Sequence, residues 1–356
     1  MHALGHSSIG SKSRRHIRWF SRRRIATDEG GTDMTTKSRS LARAFALALV
    51  LALPLLVVHA QPASPFRIGF LCANDASPVD EALRQLGYVE GRNAVFEVRT
   101  TQGRPDRARE QAADLVRAKV DVIVAYTNLH AFAAKQATST IPIVVGFAHG
   151  AVATGLVPSL ARPGGNVTGI ESLAPELDVK RMELLRQIVP ALSSVAALYN
   201  VDDRGSLVHL KHTQEAGRAL GVRVVPLGVR TAADYDTVFT PIAGDPVGAL
   251  LMFNDYLTLA NWKRVADFAL ASRTPTVCAF RFQAHDGCLV SYGPISDEIT
   301  KRVAHQVDRI LKGAKPADIP FEQVTRFELV VNLKTARALG ISIPSSVLLR
   351  ADAVIE

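Results

Sequence analysis

Residue patterns that announce covalent chemistry are missing from this 356-residue sequence. It has no G-x-x-x-x-G-K-[ST] phosphate loop, no G-x-S-x-G nucleophile elbow and no H-E-x-x-H zinc helix. The three cysteines (Cys72, Cys278 and Cys288) are too few for a disulfide-built scaffold and sit at no zinc spacing. His209 and His212 stand three apart on a predicted helix, but without a third ligand at useful spacing they are read as a solvated face. Low-complexity tracts and short-period repeats are also absent, which excludes solenoid and linker architectures. These absences predict a protein that is not an enzyme and needs neither cofactor nor metal.

An excess of one charge is lacking too, once its position is considered. The net charge of +9 would suggest nucleic acid, but residues 1–60 hold ten Lys or Arg against three acids. The remainder is nearly neutral, so no nucleic-acid partner is expected. Residues 1–60 read as an export leader: a basic segment around Lys37, Arg39 and Arg43, an apolar run over 44–58, then Val58-His59-Ala60 as a cleavage site. The run falls short of the roughly 20 residues a membrane span needs, and Pro54 interrupts it. A single-span anchor is the competing reading. No cysteine follows the run for lipid attachment, and residues 1–33 are read as lying upstream of the true start at Met34. Export places the body in the periplasm, where a Cys278–Cys288 bridge is permitted; three partly buried, unbridged thiols are the expected state.

What is present is alternation. With 47% hydrophobic residues, the chain can bury two cores of ordinary size. Short β-branched or aromatic runs at 66–71, 94–99, 120–126, 141–147 and 167–170 alternate with helical periodicity at 79–86, 106–117 and 128–136. The pattern restarts after the turn Arg162-Pro163-Gly164-Gly165-Asn166. Strands are then predicted at 195–200, 223–227, 249–253, 276–280, 289–292 and 327–331, and helices at 178–188, 207–220, 257–271 and 296–312. Near-continuous apolar strands belong to parallel sheets covered on both faces. The class is therefore α/β, with two doubly wound lobes and a cleft where helix N-termini meet at the carboxyl ends of the strands.

The stretches Leu86-Gly87-Tyr88-Val89-Glu90-Gly91-Arg92-Asn93, Leu160-Ala161-Arg162-Pro163-Gly164-Gly165-Asn166-Val167-Thr168-Gly169, Lys180-Arg181-Met182-Glu183-Leu184-Leu185-Arg186, Ser291-Tyr292-Gly293-Pro294 and Phe327-Glu328-Leu329-Val330-Val331-Asn332 carry a resemblance. From residue 66 to the end, the chain resembles the periplasmic substrate-binding proteins of bacterial ABC transporters, in the branch associated with tryptophan and phenylalanine. The resemblance implies the two-lobe, type I periplasmic-binding-protein fold with three crossovers. Lobe 1 would take 66–171 with 291–325, and lobe 2 172–290 with 326–356. It also implies a monomer that captures a small molecule, an aromatic or apolar amino acid, by lobe closure and presents it to a membrane permease. Another small carboxylate, a nucleobase or a ligand-sensing role are the alternatives. Two departures touch the pocket: the segment between Leu71 and Gly87 is short, and His149-Gly150-Ala151 stands where the family commonly has Gly-Asp-Pro.

Candidate ligand contacts follow from chemistry and position. A carboxylate suits Thr127 and Asn128 at a helix start, with Asn74 and Asn200 as further amide donors. An ammonium suits Asp255, directly after a strand, with helix capping as its ordinary role. Tyr126, Phe147, Tyr199, Tyr256, Phe280 and Phe282 fall at strand ends, notable in a chain only 6% aromatic, and suit a ring or apolar ligand. Arg281 suits a second ligand carboxylate or an exposed position beside the cleft.

Overall fold

Two sheets take up the two rounds of alternation. The computed structural model describes residues 64–73, 78–102, 104–171 and 176–356, and Ala63–Glu356 forms one compact unit. The leader and Asn74 lie outside the described residues. Among those described, no helix is long and apolar enough to cross a membrane.

The first round runs β1 (Phe66–Cys72), α1 (Pro78–Gln85), β2 (Ala94–Thr100), α2 (Ala108–Arg117), β3 (Val122–Thr127), α3 (Asn128–Ala137), β4 (Ile143–Ala148) and β5 (Val167–Glu171). The second runs α4 (Glu176–Ile188), β6 (Ser194–Asn200), α5 (Arg204–Leu220), β7 (Arg223–Val229), α6 (Thr240–Gly244), β8 (Ala249–Met252), α7 (Tyr256–Ala260), α8 (Trp262–Ala271), β9 (Thr276–Cys278), α9 (Arg281–His285) and β10 (Val290–Pro294). Then α10 (Ser296–Leu311) and β11 (Glu322–Gln323) return to the first sheet. Finally β12 (Phe327–Asn332), α11 (Leu333–Leu339), α12 (Ser345–Leu348) and β13 (Ala353–Ile355) complete the second.

The first sheet is all parallel, in the order β2-β1-β3-β4-β5-β11. The second repeats that order as β7-β6-β8-β9-β10 and adds β12, antiparallel to β10, and β13. In each sheet the order reverses beside its first strand, and the carboxyl ends of the strands flanking that reversal form a ligand-binding crevice.

Burial explains why these runs are strands. Val122, Ile123, Val124 and Ala125 of β3 are all fully buried, because α1 and α10 cover one face and α2 and α3 the other. Val195, Ala196, Ala197 and Leu198 of β6 are equally buried, with α4 on one face and α8 on the other. Helix ends follow local chemistry. Asp203 caps α5 by accepting from Ser206 N at 2.7 Å, and Gly221 (φ 69°) ends it in a left-handed turn. Asn166, formally a glycosylation site, donates its side-chain amide to the carbonyls of Thr138 (3.0 Å) and Ile141 (2.8 Å) and so pins the turn before β5. Gly293 is required by close approach: a Cβ there would lie 2.2 Å from the Ala279 carbonyl oxygen.

Three expectations change. The helix over 257–271 divides at Asn261, whose side chain donates back to the Leu257 carbonyl at 2.9 Å where α7 ends. The return crossing expected at residue 291 falls after Pro294, because β10 is hydrogen-bonded within the second sheet to β9 and β12. His209 does not lie on a solvated face. It is buried, and its Nδ1 contacts the buried carboxylate of Asp178, while Phe253 packs 5.5 Å from its ring.

Candidate ligand-binding site

Where both sheets reverse order, aromatic side chains from the two rounds of the chain meet. Tyr126 at the end of β3 and Phe147 at the end of β4 have ring centres 6.2 Å apart. Phe280, after β9 of the second sheet, approaches Phe147 edge-on at 5.7 Å, and Phe282 stacks on Phe280 at 5.7 Å. With Tyr256 and Leu259 these rings line a cavity of about 220 Å³ whose floor reaches Cys72 and Ala73 after β1. The polar groups at its wall are Thr127, Asn254 and Ser296, all uncharged. Aromatic walls with a few polar groups are the usual composition of a small-molecule site.

A relay of amides fixes Phe280. Gln283, fully buried, accepts from the backbone N–H of Ala279 (3.2 Å) and Phe280 (3.0 Å) and donates to Asn254 Oδ1 at 2.9 Å. The segment is closed at its base by a disulfide between Cys278 and Cys288, whose Cα atoms lie 6.5 Å apart. This corrects the expectation of three unbridged thiols: the short helix α9 brings the chain back on itself and puts the two sulfurs side by side. Cys72 carries a buried thiol at the cavity floor.

Tyr256 also borders a second, charged groove of about 410 Å³, with Arg109 and Phe132 on one side and Asn200, Asp203 and Arg204 on the other. The Arg204 guanidinium lies over the Phe132 ring at 5.9 Å.

A family model described as ABC transporter substrate binding protein matches residues 73–355. This chain belongs to that family. The tyrosine-binding protein of Clostridioides difficile (strain R20291) is 25% identical over 259 residues, 73% of this chain and 74% of its own length. A conserved domain protein of Vibrio cholerae O1 biovar El Tor superposes with TM-score 0.77 at 27% identity, covering 82% of this chain and 100% of that one. The ABC domain of Streptococcus pneumoniae in complex with L-Trp gives TM-score 0.75 at 24% identity, with the same coverage of 82% and 100%. The two 2-1-3-4-5 sheets and these neighbours make the fold that of a type I periplasmic binding protein, as the resemblance implied.

Within this substrate-binding protein, the anticipated contacts separate into groups. Tyr126, Thr127, Phe147, Tyr256 and Phe280 are brought together at the aromatic cavity. Thr127 Oγ1 is also engaged at 3.0 Å with Nδ1 of His130, a buried ring that burial pushes down to about 3. Asn200 borders the charged groove instead. Tyr199 is half-buried against the core of the second sheet, away from both. Asn128 has its amide committed: it donates to the His149 carbonyl at 2.7 Å and accepts from the His149 N–H at 3.3 Å. Arg281 leaves the cavity wall and pairs with Glu328, its Nε donating at 2.9 Å. The sequence reading missed Asn254, Leu259, Gln283 and Ser296; none carries a charge or ring that marks it before folding.

Asp255 is fully buried under the site and serves as a helix cap. Its Oδ1 accepts from the N–H groups of Leu257 (2.8 Å) and Thr258 (3.1 Å), and its Oδ2 from Thr258 Oγ1 (2.6 Å) and Ser206 Oγ (3.4 Å). Burial, then the nearby Asp203, pushes its carboxyl up to about 6 against those hydrogen bonds. With its folded value above the ordinary one, ionising Asp255 costs stability as pH rises from about 4 to 6. Asp255→Ala should therefore act on the fold. It leaves buried donors unpaired and is expected to lower unfolding free energy by about 2 kcal/mol in urea titration, with Asp255→Asn costing less. A variant with unchanged urea midpoint but weakened ligand affinity would return Asp255 to the ligand.

Proposed function

We propose that this protein is the solute receptor of an ABC importer, capturing an aromatic amino acid between two lobes that close on it. The observation that carries this reading is the ring cluster of Tyr126, Phe147 and Phe280. Two of its rings come from strands of the first sheet and one from the second, so a flat apolar side chain laid against them touches both halves at once. The tyrosine-binding relative supports the ligand class. On this reading the first sheet with α10 is one lobe and the second sheet the other, and the chain crosses between them after β5, near residue 295 and near residues 324–326. The protein works as an exported periplasmic monomer, performs no covalent chemistry and delivers its ligand to a membrane permease, with no nucleic-acid partner. Export rests on the basic-then-apolar pattern of residues 34–60.

An aromatic acid without an ammonium group is the second reading, favoured by the uncharged cavity wall and by the commitment of Asp255 to its cap.

Thermal melting with L-tyrosine, L-tryptophan and L-phenylalanine, and with the matching aromatic acids lacking the amino group, separates the two. A ligand at 100 times its Kd adds about 2.7 kcal/mol, a shift of several degrees. Shifts with the amino acids alone favour the first reading, shifts with the acids alone the second, and no shift with either removes both. Phe280→Ala is expected to weaken the bound ligand roughly 10–100-fold by calorimetry, since burying such a ring contributes about 1.5–3 kcal/mol. Unchanged affinity would take the ring cluster out of the site.

A further inference from the structure

We propose that His149 is a positioning residue for ligand capture, holding the two halves of the cleft together only while its imidazole is uncharged. The inference rests on the lobe-closure reading above and concerns a residue that does not line the aromatic cavity.

The backbone of His149 belongs to the first half. Asn128 grips both its N–H and its carbonyl, and the next two N–H groups, of Gly150 and Ala151, donate to the Glu171 carboxylate at 2.6 and 2.8 Å. The ring belongs to the second half. It packs against the start of α5, so close that a Cβ on Gly205 would stand 2.0 Å from its Nδ1. His209 of the same helix lies 5.6 Å from it, ring to ring. Asp203 before that helix places Oδ1 3.6 Å from His149 Nε2, beyond hydrogen-bond reach, and that nitrogen is buried with no hydrogen-bond partner. From α4, Asp178 faces the pair but is held by His209 and by Arg181 at 2.6 Å.

A proton on this ring would sit in a site with no solvent, at the positive end of a 17-residue helix. Burial disfavours it most; Asp203 and Asp178 favour it and His209 opposes it, and the balance holds His149 below the ordinary histidine value. When the halves separate, the ring meets water and regains a pKa of about 6.5. The closed form therefore binds fewer protons than the open form, and acid favours opening. Affinity should fall between pH 7.0 and 5.5 by up to about eightfold, the limit for one proton taken up only by the open form on a group of pKa about 6.5.

The test is calorimetric titration with L-tyrosine and L-tryptophan at pH 7.0 and 5.5, on the protein and on His149→Gln, with small-angle scattering of the ligand-free forms at both pH values. Asp255, Glu171, His130 and His209 remain in the variant, so the difference reports His149 alone. A loss in the protein of up to about eightfold and clearly larger than in the variant is the expected result; equal losses in both overturn it. If neither amino acid binds at either pH, the ligand class fails, and scattering decides. A radius that grows at pH 5.5 in the protein but not in His149→Gln supports the inference, and identical behaviour overturns it. Should His149→Gln fail to fold, Gly205→Ala displaces the same ring and is judged by the same ratio.

Discussion

Replacing Arg181 by alanine should lower the unfolding free energy by about 3–5 kcal/mol, a large share of the stability of a domain. Arg181 is 2% exposed, the largest fully buried side chain of the described residues. Its Nη1 donates to Asp178 Oδ1 at 2.6 Å and its Nε to the Tyr292 carbonyl at 2.9 Å, so it ties α4 to β10 of the second sheet. Burial alone would raise the Asp178 carboxyl, but His209 and Arg181 outweigh that and hold it below the ordinary range. Without Arg181, an ionised carboxylate stays buried with only the His209 ring beside it, and the Tyr292 carbonyl loses its donor. The cost is that of breaking a buried pair, which exceeds what the intact pair contributes over an apolar one. Urea unfolding of Arg181→Ala, Asp178→Ala and the double variant forms the measurement. The double variant should lose less than the sum of the singles by at least 1 kcal/mol; strict additivity would mean the two groups do not support each other.

The second large effect is loss of the bridge. Exchanging Cys278 and Cys288 for serine together should cost about 3 kcal/mol, the loop-closure value for a ring of about ten residues, and lower the melting temperature by about 5–10 °C. The effect should extend to binding. The bridged segment holds Phe280, Arg281 and Phe282, and its inner order depends on Gln283 reaching back to the Phe280 N–H. A wider loop leaves that ring less well placed, so affinity for the aromatic ligand should fall with the melting temperature, and dithiothreitol should reproduce both changes. An unchanged melting temperature in reducing buffer would show that the bridge adds no stability.

Strand-helix alternation was legible because its signal is local. The apolar runs of β3, β4, β6 and β8 need only a partner on each face, and any parallel α/β arrangement supplies one. The turn at Pro163-Gly164-Gly165-Asn166 was legible from its own Pro-Gly-Gly-Asn composition, whereas the bonds Asn166 makes to Thr138 and Ile141, 28 and 25 residues back, were not. Among the elements that escaped, α9, β11 and β13 are too short for a period to register and exist because tertiary neighbours complete them. Side-chain roles were less legible still. Asp255 and Asn128 carry groups suited to a ligand, but the structure commits them to a helix start and to the backbone of His149. The polarity of a side chain is visible in sequence; whether a backbone group has already claimed it is not.

The sequence by itself determined the α/β class, the two rounds of alternation, the family and the aromatic residues at the strand ends. The class, the alternation and the aromatic positions depend on composition and spacing along the chain, and the family on the matching stretches it shares with its relatives. Only the tertiary structure decided that Cys278 meets Cys288, that His209 and Arg181 are buried beside Asp178, and that His149 of one half lies on the helix start of the other. The reason is that other parts of the chain complete them: His149 and Gly205 are 56 positions apart, and even the near neighbours Asp178 and Arg181 are buried only where His209 and the Tyr292 carbonyl meet them. Their energies come from shared burial, which exists only once both sheets are in place.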